Sequence, residues 1–205
     1  MHSRLFTDKF LATDFMAGKR NVRKLALRPP LPRRAIVWFP PFPIDAPIEP
    51  FRRRFDPMAD SLPAHVSLVF PFSTNLTVTQ LASHIRRIVG NWPSLPVKFR
   101  DIEGILDEFV FLMVRDGADA IVALHDKLYR GILKAYLRDD IPYLPHATIG
   151  RTTGNPSCST FDAMQEIAAQ EVSGEWRCVL RELAIVTLHP DGTITIDQSI
   201  PLNFA

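Results

Sequence analysis

Several sequence features that point to common protein classes are scarce or missing in this chain. Its 205 residues include only two cysteines, Cys158 and Cys178, and neither is part of a C-x-x-C pair. This argues against a zinc knuckle or a disulfide framework and favours a reducing, cytoplasmic location. No apolar run approaches the ~20 residues of a membrane-spanning helix. Neither G-x-x-x-x-G-K-[ST] nor G-x-G-x-x-G occurs, so nothing indicates ATP or a dinucleotide.

Charge is distributed unevenly along the chain. Residues 1–34 contain nine Lys and Arg against two Asp, a net charge of +7, which leaves −5 for the rest of a chain whose total is +2. Three prolines within residues 29–32 then favour extended chain. We therefore expect a basic, flexible arm over residues 1–34 and a single folded domain over residues 35–205. The arm is either a solvated tail or a surface that helps to hold a nucleic acid.

The folded part shows the same order of elements twice, strand, helix, strand, helix, strand. The first half is predicted as strand Ala35–Phe39, helix Ile48–Phe55, strand Ala64–Phe70, a helix after a capping box at Thr77, and strand Val97–Ile102. The second half is predicted as strand Phe109–Val114, one long helix from Ile121 to Leu137, strand His146–Arg151, a helix Phe161–Ala169 capped by Ser159, and a final strand Arg177–Leu188 that pairs with Thr193–Ile200. The pattern predicts an α+β fold of two pseudo-symmetric β-α-β-α-β lobes, with mostly antiparallel sheets flanking a central cleft.

One tripeptide pattern occurs in both halves, as His65-Val66-Ser67 and as His146-Ala147-Thr148. In an extended strand, residues i and i+2 point to the same side, so the imidazole and the hydroxyl of each copy share one face. Two such strands placed side by side would bring two imidazoles and two hydroxyls to one cleft. That set suits a phosphate, because one imidazole can take a proton, the other can give one, and hydroxyls can hold the oxygens.

The stretches Ala64–Phe72 and Leu144–Arg151 fit an H-x-[ST] signature followed by an apolar residue. In these stretches the chain resembles the 2H phosphoesterase superfamily, in the branch named for bacterial 2'-5' RNA ligases and RNA 2',3'-cyclic phosphodiesterases. The resemblance covers roughly residues 35–202. Ser67 is a departure, because many members have Thr at this position, but the hydroxyl is kept.

The resemblance implies cleavage or transfer at a phosphodiester with no metal and no cofactor. Separately, we expect a monomer that does not bind a membrane. The substrate that the resemblance implies is a 2',3'-cyclic phosphate at an RNA end, as in RNA processing, or a small cyclic nucleotide. His65 and His146 would be the acid/base pair, and Ser67 and Thr148 would bind the non-bridging phosphate oxygens. The usual product of the family, a 2'-phosphate, would make His65 the acid and His146 the base.

Three further residues near the motifs are candidate substrate contacts. Phe70 and Tyr143 could stack on a base or ribose, although a Phe in a strand is more often part of the core. Arg151 could bind a phosphate, and its alternative role is a surface salt bridge. His84 and His125 lie on apolar helix faces without metal-ligand spacing, and we interpret them as buried histidines with satisfied hydrogen bonds.

Two other functions remain open at this point. A 2'-5' RNA ligase or a 2'-5' oligonucleotide phosphodiesterase would use the same motifs, because cyclic-phosphate chemistry is reversible. A non-catalytic RNA-binding module would use the cleft and the basic arm, but it would have no need of an acid/base pair.

Overall fold

The computed structural model describes residues 31–152 and 160–203. Its elements are β1 (Arg33–Trp38), α1 (Ile48–Phe55), β2 (Val66–Ser73), α2 (Val78–Val89), β3 (Leu95–Ile105), β4 (Phe109–Asp116), α3 (Ala118–Leu128), a 3-10 helix (Gly131–Tyr136), β5 (His146–Arg151), α4 (Phe161–Glu171), β6 (Trp176–Leu180), β7 (Glu182–Leu188) and β8 (Ile194–Pro201). Most of the predicted basic arm, residues 1–30, lies outside the described residues. Strand β1 begins at Arg33, two residues before the expected start of the folded domain.

The strands form two four-stranded antiparallel sheets, ordered β2-β1-β7-β8 and β5-β4-β3-β6. The predicted fold class is therefore confirmed, but the two lobes are not the two halves of the sequence. The first half gives its last strand, β3, to the second sheet, where it pairs with β4. The second half gives β7 to the first sheet, where it pairs with β1. As a result, β2 and β5 occupy equivalent positions, each at the edge of its own sheet.

The long helix predicted from Ile121 to Leu137 is wrong in its second part. Helix α3 ends at Leu128, and a 3-10 helix follows from Gly131. Gly131 adopts φ +62°, a left-handed conformation that interrupts an α-helix and that glycine tolerates best. The apolar periodicity continued past this glycine because Leu133 is buried in the 3-10 segment.

The strand predicted over Arg177–Leu188 is two strands in the structure. Strand β6 belongs to the second sheet and β7 to the first, so the chain crosses from one sheet to the other at Arg181. The predicted cap of α4, Ser159, lies outside the described residues, and Thr160 caps the helix instead by accepting a hydrogen bond from the backbone of Ala163.

Other local predictions are confirmed. Thr77 begins α2 with a complete capping box, in which its hydroxyl accepts from Gln80 N–H and the Gln80 side chain accepts from Thr77 N–H. Strand β8 pairs with β7 through the turn that contains Gly192. In the described part of the chain, no helix is long and apolar enough to cross a membrane.

Candidate active site

The two H-x-[ST] motifs lie at the start of the two equivalent edge strands, β2 and β5. These strands approach each other to within 8 Å between Cα atoms. In both motifs the His and the hydroxyl residue are half-buried, while the spacer between them, Val66 or Ala147, is fully buried. The alternation expected of a strand therefore places both imidazoles and both hydroxyls away from the core and toward the region between the strands.

Both imidazoles are oriented by the same backbone contact. Nδ1 of His65 lies 2.9 Å from the carbonyl oxygen of Pro63, and Nδ1 of His146 lies 2.6 Å from that of Leu144. A carbonyl oxygen can only accept, so each Nδ1 carries a proton and donates it. Nε2 of each ring has no hydrogen-bond partner within the described residues. Each Nε2 is therefore available to exchange a proton with a bound molecule.

The two hydroxyls are similarly available. Among residues 31–152 and 160–203, neither Ser67 Oγ nor Thr148 Oγ1 forms a hydrogen bond. A half-buried hydroxyl without a partner can both donate to and accept from a polar ligand. The four residues predicted to form the site therefore lie on two strands that contact each other, β2 and β5.

A break in strand pairing turns Arg151 toward the same face. The register of β4 and β5 shifts between Val110 and Phe111, which leaves Ile149 without a partner on β4. Such a bulge places two successive residues on the core side, and both Ile149 and Gly150 are fully buried. Arg151 is the sixth residue counted from the histidine of the motif, His146. It consequently lies on the same face of β5 as His146 and Thr148.

The guanidinium of Arg151 has an unusual environment for a surface arginine. Its Cζ lies 4.8 Å from the centre of the Phe109 ring, and its Nε is buried without a hydrogen-bond partner. Within the part of the chain that the structure describes, Arg151 forms no salt bridge, which is the alternative that the sequence left open. An uncompensated cation held on an aromatic ring is suited to binding an anion.

Strand β2 contains the matching irregularity. Its register with β1 shifts between Ile36 and Val37, so Leu68 is left without a partner. Leu68 and Val69 are both fully buried, and the next residue, Phe70, is only half-buried. Phe70 is therefore the counterpart of Arg151, since each is the sixth residue counted from the histidine of its motif. The first motif has an aromatic ring at this position, and the second has a cation.

His146 has an apolar neighbour on its ring face. The ring of Phe111 stacks on it with the centroids 3.5 Å apart and the planes 14° from parallel. Burial lowers the pKa of His146 to about 4, the bond to Leu144 raises it in part, and a positive charge on His65 lowers it further. His146 is therefore neutral at pH 7, with the lone pair on Nε2, as a proton acceptor must be.

His65 lies beside a buried ionic cluster of Glu49, Arg52 and Asp56, in and just after α1, which was not among the predicted site residues. Arg52 is 1% exposed, and its guanidinium binds the Asp56 carboxylate at 2.6 Å and the Glu49 carboxylate at 3.0 Å. Burial lowers the pKa of His65, and the bond to Pro63 partly restores it. The positive charge of Arg52 lowers this pKa, whereas Asp56 and Glu49 raise it.

The same cluster holds the turn that leads into the first motif. Arg52 donates to the carbonyl of Leu62, Glu49 accepts from Ala64 N–H at 2.6 Å, and Asp56 accepts from Met58 N–H. One signal was present in the sequence. Arg52 stands on the face of α1 defined by the apolar residues Ile48, Phe51 and Phe55, where a charged side chain requires partners.

Tyr143 is bound to the opposite motif. Its hydroxyl donates to the carbonyl of Ser67 at 3.1 Å, and its ring stacks on His125 with a centroid distance of 3.6 Å. His125 in turn donates from Nδ1 to the carbonyl of Leu68, and Phe70 packs edge-on against both rings. Tyr143 therefore links the segment before the second motif to the strand that contains the first. His125 and His84 are buried and hydrogen-bonded, as the sequence suggested.

Two antiparallel sheets whose edge strands bring paired H-x-[ST] motifs together define a phosphoesterase of the two-histidine, or 2H, class. The chain belongs to the 2'-5' RNA ligase superfamily, whose family model matches residues 40–192.

Similar proteins agree with this assignment. The chain is 27% identical over 143 residues to a Geobacillus kaustophilus protein named "Putative phosphoesterase GK0864", a match that covers 68% of this chain and 80% of the relative. A Geobacillus thermodenitrificans protein of the same description is 26% identical with the same coverage. The crystal structure of Escherichia coli LigT complexed with phosphate has a TM-score of 0.54 at 17% identity, covering 85% of this chain and 99% of that one. At this identity the likeness concerns the fold.

Proposed function

We propose that the protein is a metal-independent phosphodiesterase that hydrolyses 2',3'-cyclic phosphates at RNA ends or in small cyclic nucleotides. The observation that carries the proposal is the matched state of the two imidazoles. Each Nδ1 donates to the backbone carbonyl two residues before it, and each Nε2 is left without a partner in the described structure. Two oriented proton-transfer groups at one site are what in-line opening of a cyclic phosphate requires.

In the proposed reaction, His146 is the general base and His65 is the general acid. Nε2 of His146 takes a proton from water as the water oxygen forms a bond to phosphorus. The bond from phosphorus to the ribose 3'-oxygen breaks, and His65 gives its Nε2 proton to that oxygen. The product is a 2'-phosphate with a free 3'-hydroxyl. The pKa of His146, about 4, suits the base because the ring stays unprotonated in neutral solution.

The other site residues hold the phosphate in this proposal. Ser67 and Thr148 donate their hydroxyls to the non-bridging oxygens, and Arg151 neutralises charge that develops on those oxygens. Tyr143 was a candidate for base stacking. Because its ring face is covered by His125 and its hydroxyl is bound to Ser67, we assign it to positioning the first motif. Phe70, which is half-buried, remains the candidate for contact with the nucleoside.

The pKa shifts predict an acidic optimum for kcat/KM. Activity requires His146 unprotonated and His65 protonated. In the free protein the pKa of His65 is below 6.5 and that of His146 is about 4, so the active combination is most populated between these values. A bound phosphate stabilises the His65 cation, so the optimum of kcat should lie at higher pH than that of kcat/KM.

The test is hydrolysis of a nucleoside 2',3'-cyclic phosphate in the presence of EDTA. We expect turnover by the wild-type protein and its loss in His65→Ala and His146→Ala. His189→Ala is the matched control, because His189 is on the β7–β8 turn and bonds only to Thr195 among described side chains. Turnover that both active-site variants retain would contradict the proposal. In ligation, the 5'-hydroxyl of a second RNA would take the place of water. Its oxygen would form the bond to phosphorus as the bond to the 3'-oxygen breaks, and the assay detects the 2'-5' product as joined RNA when the two ends are supplied.

A further inference from the structure

A second concave surface lies between the C-terminal ends of α2 and α3, outside the site described above. It encloses about 480 Å³, and its lining includes Arg87, Trp92, Lys127, Arg130 and Gly131. Three of these residues, Arg87, Lys127 and Arg130, are cations, and none of them forms an ion pair within the described residues. The sequence has no Asp or Glu between positions 60 and 101, so α2 brings no carboxylate to this surface.

Two of the three cations of this surface, Lys127 and Arg87, are held in place by neutral groups. Nζ of Lys127 lies 5.1 Å above the centre of the Trp92 ring, a cation–π contact that positions the ammonium without neutralising it. Arg87 donates to Nδ1 of His84, so the proton of that ring is on Nε2, which donates to the carbonyl of Leu128. Gly131, at φ +62°, places no side chain in the space next to His84. Cations positioned in this way keep their full charge for an anion.

Helix α3, which supplies part of this surface, also contacts strand β2 of the active site. Along α3, His125 contacts Leu68 of β2, and the hydroxyl of Tyr129 accepts a hydrogen bond from Phe70 N–H. Lys127 is two residues beyond His125 on α3, which is ~3 Å further along the helix axis, and Arg130 is the second residue after the helix ends at Leu128. A strand of RNA that leaves the phosphate site past Phe70 would reach these cations within a few nucleotides.

We propose that Arg87, Lys127 and Arg130 bind the sugar-phosphate backbone of an RNA whose terminal cyclic phosphate is in the active site. This inference rests on the proposed function and makes the substrate an oligonucleotide. The phosphate groups are the recognised feature, because Lys127 already covers one face of Trp92 and three separate cations suit successive phosphates. Recognition is therefore independent of base sequence and sensitive to salt.

The test compares two substrates, a mononucleoside 2',3'-cyclic phosphate and an RNA hexamer that ends in a 2',3'-cyclic phosphate. In Lys127→Gln/Arg130→Gln, kcat/KM for the hexamer should fall roughly tenfold, and the slope of log(kcat/KM) against log[salt] should become shallower by about 1.4, or 0.7 for each lost phosphate contact. The mononucleotide should react at the wild-type rate, because it does not reach the surface.

The matched control is Arg100→Gln/Arg177→Gln. It removes the same charge from β3 and β6, at the side of the second sheet opposite β5, where Lys98 still pairs with Asp116 and Glu175. This control should leave both substrates unaffected. A second variant, Trp92→Leu, keeps every charge but removes the support of Lys127, and it should weaken hexamer use several-fold.

Three results would overturn the inference. They are an unchanged kcat/KM for the hexamer, an equal fall for both substrates, and a fall as large in the control as in the double variant. Fluorescence anisotropy of a labelled hexamer with a 3'-hydroxyl end measures RNA binding without catalysis. It therefore tests this surface independently of the proposed function. If the wild-type protein hydrolyses neither substrate, weaker hexamer binding by Lys127→Gln/Arg130→Gln still supports the surface, and unchanged binding rejects it.

Discussion

The two halves of the active site have the same backbone and different surroundings. His65 and His146 occupy equivalent positions on equivalent strands, and each ring is oriented by the carbonyl two residues before it. Behind His65, however, is a buried ionic cluster centred on Arg52, whereas His146 is stacked on Phe111. The repeated motif therefore determines where the two imidazoles are, and the residues around each one determine how readily it takes a proton.

The largest effect on activity should come from removing either the general acid or the general base. His65→Ala and His146→Ala should each lower kcat on a cyclic phosphate by about 10²- to 10⁴-fold. On a nucleoside p-nitrophenyl phosphodiester, His65→Ala should recover most of this loss, because nitrophenolate leaves without a proton. His146→Ala should not recover, because water still requires a base. Recovery of His146→Ala alone would reverse the two roles.

Removing the ionic cluster should affect the first half of the site and the stability of the whole protein. Arg52→Met leaves the buried Asp56 and the partly buried Glu49 without their cation, which should lower the free energy of unfolding by about 3–5 kcal/mol in a urea titration. Arg54→Met is the control, since its pair with Glu171 is exposed and contributes at most about 1 kcal/mol. Equal losses would mean that the cluster has no special importance.

The sixth position of each motif offers a direct comparison of the two halves. Arg151→Met should lower kcat/KM about 10²-fold, because the cation assigned to the phosphate is lost while the contact with Phe109 is kept. Phe70→Leu, the equivalent change in β2, should lower it less than tenfold. A larger effect of Phe70→Leu would assign the main substrate contact to the first motif.

The smallest effect should follow from replacing the ring stacked on His146. Phe111→Leu opens the face of the imidazole to water, so the pKa of His146 should rise from about 4 toward its usual value. A higher pKa leaves less of the unprotonated base in acid. Activity should therefore fall a few-fold at pH 5 and stay unchanged at pH 8. NMR titration of the His146 ring would measure the shift directly, and an unmoved pKa would show that Phe111 does not cause it.

The sequence predicted the elements that depend on local patterns. The alternation around His65 and His146, the capping box at Thr77 and the helix over Ile48–Phe55 are each encoded by neighbouring residues, and the structure agrees with all three. The partition of the site into two matching half-sites followed from the repeat. Residues on both sides of Arg181 were predicted as one strand because apolar alternation does not show which sheet a strand joins.

Parts of the site depend on distant contacts and could not be predicted. The bond from Tyr143 to Ser67 joins residues 76 positions apart, and the stacking of Tyr143 on His125 requires α3 to lie against β2. The direction of Arg151 toward the site depends on the register shift that leaves Ile149 without a partner on β4. No local sequence pattern indicates a bulge there. Arg52 was readable in part, as a charge on an apolar face, but its partners became clear only in the folded chain.

The exchange of β3 and β7 has a consequence for how this protein folds and could be divided. A chain cut at the β3–β4 turn would yield a first fragment that carries β3 but lacks β7 and β8 of its own sheet. The second fragment would carry β7 and β8 but lack β3 of its own sheet. Neither fragment should fold alone, and a mixture of the two should regain structure by complementation. The intact chain should therefore unfold in a single cooperative transition, despite a sequence that reads as a tandem repeat.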